Sequence, residues 1–389
     1  MEKIILKGIT WGHTRGLVPM QATAQRFEEL NPSVEIRWKK RTLQEFADKS
    51  IDQLAQEYDL LVIDHPWIGH AATKNIFSAL DDLLPTEFLE DQKNNSVGQS
   101  YLSYNYLGKQ WALPTDAATP VAASRKDLLQ ERGLEVPKTY DELLDLAEKG
   151  LVGFSLIPID VLMTFYMYCN TLGQEPCTDE EKVISDTVGS QALELFKELS
   201  DRLDKRFYQK NPYLVFEEMS RTNQIAYCPF AYGYSNYSRV GYGEYKLDFH
   251  DVVTFQDKGP LITTLGGAGL AISSSCKHLD VAAEYAKMVA DPLIQATLYT
   301  QNGGQPGHRG AWLNKECNDL CGDFFKNTLK TLDNAYLRPR YYGQHVFQDH
   351  AGSIICNYLK DGSKGDEQDV IDELNRLYKE SLNYKKTNG

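Results

Sequence analysis

Positive charge is in deficit in this sequence: 41 Lys and Arg stand against 54 Asp and Glu, a formal net charge of -13. That balance argues against a nucleic-acid partner, which needs basic surface to meet phosphates. The basic runs are short, and the clearest, Lys39-Lys40-Arg41, reads as a solvated strand end. No hydrophobic run is long enough to span a membrane, so no membrane insertion is expected. Cysteine lacks any framework. Cys169, Cys177, Cys228, Cys276, Cys317, Cys321 and Cys356 are seven, odd and scattered, which fits free thiols in a reducing compartment better than a disulfide scaffold. There is no internal repeat, no low-complexity segment, no P-loop and no nucleophile elbow. Metal-ligand spacing is missing too: His65 and His70, like His345 and His350, are five apart and diverge on a helix, and Cys317 and Cys321 have no partners nearby in sequence. No metal and no cofactor is expected. The N-terminus lacks the apolar core and small-residue cleavage site of a secretory signal.

What is there is a long chain of ordinary globular composition. Hydrophobic residues make up 42% and charged residues 24% of 389 residues, more than one core usually holds, so two domains are expected. Strand Ile4–Thr10 leads through the polar loop Trp11-Gly12-His13-Thr14-Arg15-Gly16 into a helix carrying Leu17, Met20, Ala24 and Phe27. Val34–Trp38 is the next strand, Leu43–Gln56 an amphipathic helix with Leu43, Phe46, Ile51, Leu54 and Ala55 inward, and YDLLVID (58–64) a strand apolar almost throughout. Such strands alternating with helices predict a parallel sheet covered on both faces. Ligands of these sheets bind beyond the carboxyl ends of the strands. The two loops there carry Trp11, His13, Thr14 and Arg15, then Asp64, His65, Pro66, Trp67 and His70.

The stretch YLGKQWALPTDAATPVAASRKDLL (106–129) reads as a crossing from one lobe into another. Beyond it, Thr139 and Glu142 are spaced as the capping box of helix Tyr140–Glu148. A buried helix over Val161–Thr171 and an amphipathic helix over Gln191–Lys205 follow. Strand Gln224–Phe230 feeds the loop AYGYSNYSR, whose rings and hydroxyls suit a small-molecule site. Gly266-Gly267-Ala268-Gly269 precedes a strand instead of following one, so these glycines imply close backbone approach, not a dinucleotide fingerprint. His308 and Arg309 lie in the loop after helix Pro292–Tyr299.

The order GKQWALPTD, RKDLL with PKTYDELLDLA, QIAYCPFAYGY, TLGGAGLAIS, HLDVAAEYAKMV and NGGQPGHRGAW resembles the bacterial extracellular solute-binding proteins of the maltose-binding type over nearly the whole chain. The resemblance implies an α/β, two-lobed periplasmic-binding-protein-like fold, each lobe a mostly parallel sheet flanked by helices, hinge-linked around a ligand cleft. It implies lobe one over 1–112, lobe two over 113–264, a return to lobe one over 265–305 and a helical completion of lobe two over 306–389. Carried residue by residue, it places Trp11, His13, Arg15, Asp64, His65, Trp67, Thr115, Asp116, Tyr232, Tyr237, Gly266 and Gly267 around the cleft, with Arg309 beside them. Plainer readings stand next to these: Trp11, Trp67, Tyr232 and Tyr237 as packing aromatics, Asp64 as a helix cap, Arg15 and Arg309 as surface ion pairs.

The expected function is therefore a solute-binding protein closing on a small polar organic ligand, a carbohydrate or a sugar acid or carboxylate, for the membrane subunits of an ABC importer. Arg15 and Arg309 tilt that expectation toward an acid-bearing ligand, and Trp67 and Tyr232 are expected to face one another across it. A monomer is expected. The alternative is a cytoplasmic enzyme on the same fold, with His13, Asp64 and His65 in acid-base roles. The fold also hosts thiamin-degrading enzymes with a cysteine nucleophile, but Cys228 reads as a buried structural thiol. A native start at Met1 implies the cytoplasm, and a removed leader implies the periplasm or the outside of the cell.

Overall fold

Four apolar residues in a row, Leu60-Leu61-Val62-Ile63, can all be buried only if both faces of their strand are covered. The computed structural model, which describes residues 3–41 and 50–384, has them so. Leu60 and Val62 join one core with Leu6, Met20, Phe27 and Ile36. Leu61 and Ile63 join another with Ile9, Ile51, Leu54 and Phe77. The chain divides into two units. Unit 1 comprises Met1–Ala118, Gly266–Cys321 and Arg340–Tyr342, and unit 2 comprises Thr119–Leu265, Gly322–Pro339 and Gly343–Gly389.

The chain enters unit 1 with β1 (Ile4–Trp11), α1 (Thr14–Leu30), β2 (Val34–Arg41), α2 (Ile51–Glu57), β3 (Leu60–Ile63) and β4 (Leu113–Ala118). It builds unit 2 around β5 (Pro120–Ser124), β6 (Tyr227–Tyr232) and β7 (Asp248–His250), then returns to unit 1 with β8 (Gly266–Ile272). The first sheet runs β2-β1-β3-β8-β4 and the second β6-β5-β7. β1 is parallel to β2 from Ile4↔Val34 to Trp11↔Arg41, and parallel to β3 at Gly8↔Leu60. β8 runs antiparallel to both neighbours, with Leu270 opposite Val62 and Gly266 opposite Ala118.

The two-unit α/β class is the expected one, but the pairing is not mostly parallel: the first sheet is mixed and the second antiparallel throughout. Apolarity reports that a strand is buried on both faces and is silent on the direction of its neighbours. The expected lobe boundary at 112/113 also moves. β4 pairs with β8, so the chain stays in unit 1 to Ala118. The segment after 305 is not all unit 2 either. Gln305 donates through Nε2 to Ala117 O (2.7 Å), and Trp312 through its indole N–H to Pro306 O (2.6 Å), holding residues up to Cys321 in unit 1.

Arg340–Tyr342 also belongs to unit 1. Arg340 Nη1 donates to the carbonyls of Leu102 (2.5 Å) and Asn105 (2.8 Å), and a Cβ on Gly69 would meet Arg340 O at 1.7 Å. Glycine is required there by contact alone.

Side-chain caps mark several of the helix starts. Thr139 and Glu142 make the full capping box of the helix Tyr140–Glu148. The helix expected over Gln191–Lys205 spans Asp186–Ser200 instead, because Ser185 caps it by accepting from Val188 N. Ile51, Leu54 and Ala55 face inward as expected, whereas Leu43 and Phe46 lie outside the described residues.

Candidate functional site

β1, β2 and β3 end side by side, so the loops after them share one edge of the first sheet. Trp11 ends β1, half-buried, and its indole lies so close to Gly16 that a Cβ there would meet it at 2.3 Å. His13 is the N-cap of α1, its Nδ1 accepting from Arg15 N at 3.0 Å. Burial, helped by the Arg15 charge, pushes the His13 imidazole down to about 4, so it is neutral at physiological pH. The helix begins at Thr14, not at Leu17. Histidine is an uncommon cap, which is why this polar stretch reads as loop.

After β3, Asp64 caps the turn His65–Trp67, accepting from His65 N at 2.9 Å. His65 is fully buried and meets the Tyr104 ring edge-on at 6.2 Å. Trp67 stays half-buried. With Asp64 it lines a pocket whose other walls are Arg41, Ile51, Leu54, Leu61 and Ile63. Arg41 was expected on a solvated strand end and is instead buried, while Lys39 and Lys40 are exposed. β2 continues three residues past Trp38 and carries Arg41 to the pocket wall, where burial lowers its guanidinium to about 10, still charged at neutral pH.

Arg15 and Asp116 are found together, but facing each other. The guanidinium of Arg15 donates from Nε to Asp116 Oδ2 at 2.7 Å and from Nη2 to Oδ1, with both side chains buried. Burial pushes the Asp116 carboxyl up, and the Arg15 charge opposes it. The pair fixes α1 to β4, which favours the plainer reading of Arg15 as one half of an ion pair, buried here and not on the surface. Beside it, Thr115 is buried with its hydroxyl 3.4 Å from Ala268 O. Gly266 is buried in β8, and Gly267 has φ +102° and lies so close to β4 that a Cβ would meet Asp116 O at 2.4 Å. Arg309 is half-buried and starts the short helix Arg309–Leu313, which His308 caps.

In unit 2, Tyr232 ends β6 and its hydroxyl lies 2.9 Å from Thr264 Oγ1. It lines a pocket with Pro120, Ser155, Asp160, Met163, Thr164, Phe230 and Ala231. Asp160 sits in the first turn of the helix Pro158–Thr171, and Ser155 donates its hydroxyl to Asp160 Oδ2. Burial pushes the Asp160 carboxyl up to about 7, against the opposing pull of that hydroxyl and of the Arg338 charge. Tyr237, expected beside Tyr232, is instead a packing residue. It is buried, donates to Glu217 Oε1 at 2.9 Å and packs on Phe216 and Tyr242.

Arg41, Ser155 and Asp160 are the functional candidates that sequence reasoning missed. A lone carboxylate in PIDVLMTFYMYC, an otherwise apolar helix, was the available signal for Asp160. Arg41 was obscured by the two solvated lysines before it. Cys228 is buried with its thiol raised well above the ordinary range by that burial, as a structural thiol should be.

Residues 22–319 match the family described as bacterial extracellular solute-binding protein. A maltotriose-binding protein of Pyrococcus abyssi (strain GE5 / Orsay) is 30% identical over 129 residues, 33% of this chain and 27% of that protein. The match thus spans about a quarter of the length of this curated relative. Among solved structures, an ABC transporter solute-binding protein of Agrobacterium radiobacter K84 in complex with ribitol aligns with a TM-score of 0.81 at 20% identity, over 97% of this chain and 99% of that one. Maltose-bound MalE3 of T. maritima aligns at 0.80 and 17% identity, with the same two coverages. At these identities the structural likeness shows the fold.

Proposed function

We propose that the chain, which belongs to the bacterial extracellular solute-binding protein family, closes its two units on a neutral sugar or polyol and delivers it to the membrane subunits of an ABC importer. The observation that carries the reading is the unit 1 pocket, which Asp64, Arg41 and Trp67 line together at the strand ends. A carboxylate and a guanidinium supply acceptors and donors to vicinal hydroxyls, and an indole offers a flat apolar face to a sugar's C–H side. Arg15 is neutralised by Asp116, which removes one of the two arginines that favoured an acidic ligand. The ligands named for the relatives, maltotriose, maltose and ribitol, are neutral and hydroxyl-rich.

On this reading Trp67 and Tyr232 serve as the stacking residues of unit 1 and unit 2, each at or just past the end of a strand of its own unit.

The working place on this reading is outside the cytoplasmic membrane, as the family's extracellular character suggests. No helix among the described residues is long and apolar enough to cross a membrane. The free thiols suit that setting through burial. Six of the seven cysteines are buried, and desolvation raises Cys276 and Cys356 to about 11, which keeps them protonated and slow to oxidise.

Calorimetry with maltose, maltotriose and ribitol, set against glucuronate and small dicarboxylates, tests the ligand class. Binding of at least one neutral compound, weakened by Trp67→Ala, is expected. Binding confined to the acids would overturn the neutral-ligand reading.

A further inference from the structure

The unit 2 pocket contains a group that a purely structural wall does not need. Asp160 is 8% exposed and lines the pocket together with Tyr232 and with Ser155, whose hydroxyl is its direct partner. An apolar side chain of similar volume would fill such a wall at lower desolvation cost. The charged and titratable groups around it come from three directions. Arg338 pulls the carboxyl toward its charged form, while its own Nε is engaged by Leu265 O at 2.8 Å. Cys228 on β6 and Cys356 on the helix Gln344–Asp361 also feel the carboxyl, and both thiols are held protonated by burial. None of these forms an ion pair with Asp160 like the one that Arg15 forms with Asp116.

We propose that Asp160, steadied by Ser155, is the group with which unit 2 reads the hydroxyls of a ligand, and that it does so as a carboxylate, so that binding releases a proton. The inference rests on the sugar or polyol reading above and adds to it a specificity determinant and a pH dependence. A carboxylate accepts hydrogen bonds from two vicinal hydroxyls, and charge-assisted bonds are about twice as strong as neutral ones. Burial pushes the Asp160 carboxyl up to about 7, so both its protonated and its ionised forms are within reach near neutral pH. Ligand hydroxyls that donate to it stabilise the ionised form, and the departing proton goes to solvent. The same carboxylate repels an anionic ligand, so unit 2 selects for neutral hydroxylated compounds.

The experiment is calorimetry on the full chain with maltose, maltotriose and ribitol, near pH 6 and near pH 8, in buffers of differing ionisation heat. If only the ionised form is competent, affinity rises about tenfold across that interval, and the observed heat varies with buffer as a proton is released. Asp160→Asn, isosteric but unable to ionise, should bind no more tightly than the wild type does near pH 6, with an affinity that no longer depends on pH. Ser155→Ala keeps the carboxylate but removes a bond favouring its charged form, so its pH dependence should persist with the midpoint moved upward. Affinity flat in pH for the wild type, or a slope unchanged in Asp160→Asn, overturns this proposal alone. Failure of all three probes to bind at either pH overturns the neutral-ligand reading and this inference with it.

Discussion

Asp116 in unit 1 and Asp160 in unit 2 are both buried carboxyls, 1% and 8% exposed, yet they do different things. Asp116 has a guanidinium on it, in a two-point pair that ties a helix to a strand. Asp160 has a hydroxyl, a more distant arginine and a pocket. Burial alone therefore says little about the role of an acid. Its partner decides whether it is locked in one charge state or left able to change it.

The largest effect expected from breaking this contrast is at Arg15. Arg15→Met leaves Asp116 buried without its partner and should cost roughly 3–5 kcal/mol of stability in chemical denaturation, whereas Arg15→Met combined with Asp116→Leu should recover most of the loss. A single variant as stable as the wild type would mean that the pair contributes nothing.

Next comes the pH dependence of stability from Asp160. Its folded value, about 7, lies above the ordinary 3.8, so folding takes up a proton. The contribution is complete below 3.8 and is lost as pH rises through about 7. The loss amounts to at most about 4 kcal/mol. Asp160→Asn should remove that decline and be the more stable protein near pH 8, as read from thermal unfolding across pH. Parallel curves for the two proteins would place Asp160 in the same class as Asp116.

The smallest effects sharpen the comparison at the aromatics. Trp67→Ala should weaken binding of a neutral sugar by about 1–3 kcal/mol with folding nearly intact. Tyr232→Phe, which removes only the hydroxyl bonded to Thr264, should change stability by about 1 kcal/mol and binding by less. A larger binding loss at Tyr232→Phe than at Trp67→Ala would reverse the roles given to ring and hydroxyl.

The sequence made legible what depends on local pattern. The β-loop-α opening, the capping box at Thr139 and the close approach at Gly267 are encoded within a few residues of where they act. Strand direction was not legible, because Leu60–Ile63 is equally apolar between parallel and antiparallel neighbours. The site was legible as a set of strand-end loops but not as partners. Arg15 and Asp116 are 101 residues apart, and nothing near either one announces the other, so a cation destined for a structural pair read as a ligand contact. Tyr232 and Tyr237 are close in sequence and share one chemistry, and only contacts distant in sequence, to Phe216 and Glu217, distinguish the packing ring from the pocket residue.

β8 occupies an inner position of the first sheet, between β3 and β4, although all of Thr119–Leu265 separates it from β4 in sequence. During synthesis the ribosome delivers β3 and β4 first and must make the whole first part of unit 2 before the strand that joins them emerges. At typical elongation rates that interval is on the order of ten seconds. For that time the two strands present unpaired edges of the kind that recruit other chains. A nascent chain of this design stays open to holding factors until its last third is made, and a chain truncated before Gly266 leaves the first sheet with a gap that no local refolding can fill.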